Sequence, residues 1–218
     1  MQYENFIETI NEFEEDYELV ELLYLGAIER LRDVQKDVSM LDDLKHIQRI
    51  IKPFLISWGM MNRVVGRENL DWKRLGGTLR SLKNEFASLR NKKFLKIDFK
   101  DETLSHAIET IYSKLDPIPY LGSPTTISKI LHLLNPEIFV MWDNAIADFY
   151  HEIDPDVGYS ASGYLEFLKL TQETVSATLG KSERETGKSL DKIEAELRNK
   201  YQNKTMAKLI DEYNWIRR

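Results

Sequence analysis

Apolar residues recur at helical spacing along most of the chain. Phe6, Ile10, Phe13 and Tyr17 fall every three or four residues, and so do Leu22, Leu25, Ile28 and Leu31. Each set predicts an amphipathic helix with those positions on its buried stripe. Ser39 with Asp42 reads as a capping pair that opens a helix burying Leu44, Ile47, Ile51 and Leu55. Pro53 either kinks that helix or starts a second one running to about residue 65. Asn69 or Asp71 caps the next helix, which places Leu75, Leu79, Leu82, Phe86 and Leu89 on one face, with Gly76 and Gly77 marking close packing. Residues 94–99 alternate apolar and polar and form the one strand-like stretch, too short to build a sheet. Leu104, Ile108, Ile111 and Leu115 predict another helix, stopped by Pro117 and Pro119. Three more are expected near 163–179, 190–201 and 205–215, with Gly180 and Gly187 bracketing a polar connection. The pattern predicts an all-α, compact multi-helix protein. It reads as a single domain over 1–218, with candidate sub-lobes 1–116 and 117–218.

Composition narrows the chemistry. The chain has 218 residues and no cysteine, which removes disulfides, iron–sulfur clusters, thiolate zinc sites and a cysteine nucleophile. The N-terminus is acidic and polar, unlike a secretory leader, and no apolar run approaches membrane-spanning length. A cytoplasmic protein with no membrane partner is expected. The net charge of −6 is unevenly spread. Residues 1–45 carry 13 acids and 4 bases, whereas residues 63–100 carry 11 bases and 4 acids, a net of +7. Either the two regions pair with each other or the basic one, which includes Lys73, Arg74 and Arg80 beside Trp72, meets phosphates.

Residues 120–150 carry the most specific pattern. Gly122 permits a tight turn, Ser123 is a good N-cap and Pro124 suits a first helical position. Ile127, Ile130, Leu131 and Leu134 then make a buried face, and Asn135-Pro136 ends the helix. Glu137-Ile138-Phe139-Val140-Met141-Trp142 reads as a buried connector, after which Asp143 is placed to cap a helix through Ile146 and Phe149.

This layout resembles the helix-hairpin-helix glycosylase superfamily of base-excision DNA repair over about 30 residues. Leu121-Gly122-Ser123-Pro124-Thr125-Thr126-Ile127-Ser128 lies where the family's hairpin lies. Phe139-Val140-Met141-Trp142-Asp143-Asn144-Ala145-Ile146 lies where its linker and catalytic aspartate lie. The stretch from Ser128 to Asn144 more closely resembles a group of uncharacterised bacterial and archaeal proteins, a likeness that brings no activity. The glycosylase resemblance implies a helix-hairpin-helix-like unit that binds DNA. It places phosphate contacts at Gly122, Ser123, Thr125, Thr126 and Lys129 and makes Asp143 the catalytic acid. Pro124 replaces the hairpin's second glycine, and Thr126 falls where bifunctional members carry a lysine nucleophile, with Lys129 three residues on. Two roles stay open for Asp143, catalytic acid or plain helix cap, and with them whether the chain is an enzyme.

Other chemistry is absent. His46, His106, His132 and His151 include no pair at i, i+4 spacing, and His132 reads as a satisfied core residue. The acidic run Glu12, Glu14, Glu15, Asp16, Glu18 and Glu21 reads as a solvated face. Gly187-Lys188-Ser189 lacks a phosphate loop's upstream glycine and reads as a helix start capped by Ser189. No cofactor and no metal are expected. The two function classes in view are a nucleic-acid-binding protein and a non-enzymatic helical interaction module that binds a protein partner or itself.

Overall fold

A computed structural model describes residues 1–58, 70–118 and 124–218. Among them the regular elements are helices: α1 (Tyr3–Asp16), α2 (Glu18–Lys36), a 3-10 turn (Val38–Asp42), α3 (Leu44–Trp58), α4 (Trp72–Ser81), α5 (Lys83–Leu89), α6 (Glu102–Leu115), α7 (Pro124–Leu134), α8 (Asn144–Ile153), α9 (Ala161–Thr186), α10 (Leu190–Lys200) and α11 (Met206–Arg217). None of them is long and apolar enough to cross a membrane.

Local chemistry sets most of the boundaries. Asp71, Asp101, Ser160, Ser189 and Thr205 each cap the helix that follows by accepting a backbone N–H. Gly187 closes α9 at φ 68, a left-handed conformation that glycine adopts without strain. Residue 180 lies inside α9, so the expected polar connection begins only at Gly187. Asp43, not Ser39, caps α3 through the His46 amide, while Asp37 accepts from Ser39 and holds the preceding turn. Pro53 lies inside α3. The long helix expected after Asp71 is split at Leu82, whose amide bonds back three residues to Leu79. The expected close packing holds at Gly76, where a Cβ would come within 2.6 Å of Leu44, but not at Gly77, where it would meet nothing within 4 Å.

Two further expectations are corrected. Residues 94–99 form turns: the amides of Lys96 and Ile97 both bond to the Lys93 carbonyl. The Gln172 side chain donates to the carbonyls of Phe94 and Ile97, at 2.5 and 2.8 Å, which ties the segment to α9. The alternation reflects burial of Phe94, Ile97 and Phe99 in the core, without a partner strand. On α2 the buried stripe is Tyr24, Ala27, Leu31 and Val34, joined by Glu21, while Leu22 is exposed. This helix packs on both α3 and α7, and the face that serves both is rotated from the one that leucine spacing suggests.

The core is continuous among the described helices. α7 is its centre: every residue from Thr126 to Leu134 is buried, with α2 and α3 against it. α1 packs on α11 and α9, and α6 on α5 and α9. Elements before residue 116 are thus interleaved with elements after it.

Candidate functional site

The connector 138–142 is buried along its whole length, so its backbone polar groups need partners from neighbouring side chains. α7 supplies two, four residues apart and so on one face. Ser128 Oγ accepts from the Trp142 amide at 3.1 Å, and its single proton lies within reach of the Trp142 and Thr125 carbonyls. His132 Nδ1 lies 2.5 Å from the Phe139 carbonyl, which can only accept, so that nitrogen carries the proton. Its Nε2 is then the acceptor of the Tyr24 hydroxyl at 2.9 Å. Complete burial pushes the His132 pKa down to about 3, so the ring is neutral. From α9, the Tyr164 hydroxyl donates to the Val140 carbonyl at 2.7 Å. The sequence reading of His132 as a satisfied core residue agrees with this geometry.

The connector delivers Asp143 to the start of α8, with 20% of its side chain exposed. One carboxylate oxygen accepts the Ile146 amide at 3.0 Å, an N-cap bond. The other is paired with Arg218, whose guanidinium stacks 3.3 Å from the centre of the Trp215 ring. Both oxygens are engaged.

The expected nucleic-acid contacts fall in several places. Gly122 and Ser123 lie outside the described residues. Thr125 is half-buried and Thr126 fully buried. Lys129 is 4% exposed and has no ion pair among the described residues. Burial lowers its pKa to about 8, against a smaller opposing effect of Asp211. Lys73, Arg74 and Arg80 are exposed on α4 and make no ion pair among the described residues. α4 packs on α3, α5, α6 and the 3-10 turn, while Asp143 is tied to α11, so the expected contacts form two separate groups.

The expected solvated acidic face is only partly so: Glu21 is buried and Glu14 half-buried. The Lys204 ammonium pairs with Glu14, with Glu21 at 2.6 Å and with Glu212 at 2.7 Å. The Lys208 ammonium lies 2.9 Å from Glu21, 3.0 Å from Glu212 and 3.2 Å from Asp211, and over the rings of Phe13 and Tyr24. Burial opposes the charge on Lys208, and the three carboxylates outweigh it, so its pKa is well above the ordinary value. Burial also works against ionised Glu21, but the two ammonium groups hold its carboxyl below the usual range. For Glu212 burial prevails and lifts the pKa to about 7.

Glu14, Glu21 and Glu212 have oxygens within 4.8 Å of one another, close enough to ligate a metal. The Lys204 ammonium pairs with all three and already supplies positive charge there. Sequence reading missed this ionic set. Its local signal is the spacing Lys204, Lys208, Glu212 at i, i+4, i+8, with charge falling among Met206, Leu209 and Ile210. Mutual pairing of the acidic and basic regions, one of the two alternatives, occurs only in part among the described residues. Lys83 joins Asp42, but Lys96 and Lys93 reach Asp191 and Glu194 of α10. No protein-family model, no curated protein and no solved structure matches this chain.

Proposed function

We propose that the protein binds nucleic acid through the basic face of α4, and that Asp143 serves the fold instead of a reaction. The carrying observation is the group Lys73, Arg74 and Arg80. All three are exposed beside the half-buried Trp72 and form no ion pair among the described residues, in a chain whose net charge is −6. Exposed cations that no described acid neutralises are available to phosphates, and each contact releases counterions. The resemblance of 121–146 to the helix-hairpin-helix glycosylases points to the same ligand class. Asp143 is less available for chemistry, because a catalytic carboxylate needs a free oxygen and both of its oxygens are engaged.

Fluorescence anisotropy with labelled duplex, mismatched and single-stranded DNA at low salt tests the reading. Binding should weaken as salt rises. Replacing Lys73, Arg74 and Arg80 together by alanine should lower the slope of log affinity against log salt by about three. Absence of binding to all three probes would sink the proposal. Base release from a damaged duplex that is abolished by Asp143→Asn would restore a catalytic role to that residue.

A further inference from the structure

α2 and α3 leave an apolar groove of about 220 Å³ between them, lined by Leu22, Leu23, Ala27, Ile50 and Phe54. Leu22 is 59% exposed and Leu23 46%. Gly26 also lines it, and a Cβ there would meet nothing within 4 Å, so a partner can approach the backbone closely. Arg30 and Arg49 stand at the groove, exposed and without an ion pair among the described residues, so its rim is basic.

α8 carries the opposite features. Ala145, Phe149 and Ile153 follow one another four residues apart, on one exposed stripe. Asp148 and Glu152 flank that stripe and are exposed. The Tyr159 hydroxyl donates to Asp148 at 2.5 Å, which brings another exposed ring alongside. Six large apolar side chains are exposed among the described residues; four of them belong to the groove or to this stripe, and a fifth, Tyr159, lies beside the stripe. One interaction therefore covers most of these exposed large apolar side chains.

We propose that α8 of one copy docks into the α2–α3 groove of a second copy, so that the chain associates with itself head to tail. Phe149 and Ile153 enter the groove as a helix docks in an apolar cleft, with anchors one turn apart. Asp148 and Glu152 meet Arg30 and Arg49, and this complementarity sets the direction of docking. The apolar floor selects a protein helix over nucleic acid. Two different patches meet, so the contact is heterologous and leads to rings or open chains.

Sedimentation velocity of the full chain, from about 1 µM to about 1 mM, tests the proposal. The mass should rise with concentration and fall with added salt. Leu23→Asp and Ile153→Asp, which put a carboxylate into the apolar part of the groove and of the stripe respectively and so repel each other where the two altered surfaces meet, should each give a monomer. Mixed, the two variants should form a 1:1 dimer that grows no further, because one keeps an intact stripe and the other an intact groove. Gly26→Leu and Phe149→Ser are a second pair with the same expected outcome, should either first variant lose its helical circular dichroism. A wild-type monomer at every concentration, association that survives in both single variants, or a mixture that stays monomeric would each overturn the proposal.

Discussion

α2 buries two polar side chains three residues apart, and they end in opposite surroundings. Tyr24 donates to His132, which donates to the buried connector, so every group in that chain is neutral and has one fixed role. Glu21 enters a set of four carboxyl groups, Glu14, Glu21, Asp211 and Glu212, that surrounds the ammonium groups of Lys204 and Lys208. The first arrangement solves a backbone problem, because a buried connector must have its carbonyls and amides paired. The second is a matter of charge: two cations cannot neutralise four anions, and Glu212 eases the imbalance by keeping its proton up to about pH 7. Both lie under the same helix, yet one is indifferent to neutral pH and the other titrates there.

The comparison breaks most forcefully on the ionic side. Lys208→Ala leaves Asp211 without its ion pair and Glu21 and Glu212 with Lys204 alone, and should cost about 3–5 kcal/mol of stability, measured by chemical denaturation. A loss below about 1 kcal/mol, the size of an exposed pair, would mean that the group is not held as a buried ionic set. On the neutral side, Ser128→Ala strands the Trp142 amide and carbonyl in the core and should cost about 1–3 kcal/mol. A neutral result there would show that water reaches the connector.

Acidity separates the two regions by sign. Folded His132 titrates at about 3 against an ordinary 6.5, so the unfolded chain binds more protons between those values. Its contribution is complete above pH 6.5 and is lost as the pH falls toward 3. Folded Glu212 titrates at about 7 against an ordinary 4.5, so its contribution is complete below pH 4.5 and is lost as the pH rises through 7. Between 4.5 and 6.5 the two oppose each other. Glu212→Gln should leave the His132 dependence alone in that window, so the denaturation midpoint should climb more steeply with pH than in the wild type. An unchanged profile would show that Glu212 does not hold its proton in the folded protein.

Local patterns carried much of the neutral side into view. Five apolar residues between Glu137 and Asp143 announce a buried connector, and Ser128 and His132 sit at i, i+4 on the helix beside it. The ionic side shows locally only in the spacing of Lys204, Lys208 and Glu212; its acids on α1 and α2 do not, because Lys204 meets Glu14 across 190 residues of sequence. Nothing in the spacing of an acidic helix says which of its acids will find a buried lysine. The buried stripe of α2 departs from the leucine spacing for a related reason. Counting leucines favours Leu22, but the buried face is the one whose Tyr24 and Glu21 reach His132 and the lysines. Residues 94–99 show the same limit in reverse, since alternating burial came from three core contacts and a glutamine on α9.

The smallest effect is expected where the neutral region meets solvent, at Asp143. Its cap bond to the Ile146 amide survives in Asp143→Asn, because asparagine caps about as well as aspartate. The pairing with Arg218 is lost, but both side chains retain solvent contact, 20% for Asp143 and 27% for Arg218. The change should therefore cost less than about 1 kcal/mol. Asp143→Ala removes the cap as well and should cost about 1 kcal/mol more. Neither variant should alter DNA affinity, since the bases on α4 lie on other elements. If Asp143→Asn proves as destabilising as Ser128→Ala, the charge on Asp143 and its Arg218 partner hold the connector in place, and the division between a neutral connector and an ionic core does not extend to the connector's end.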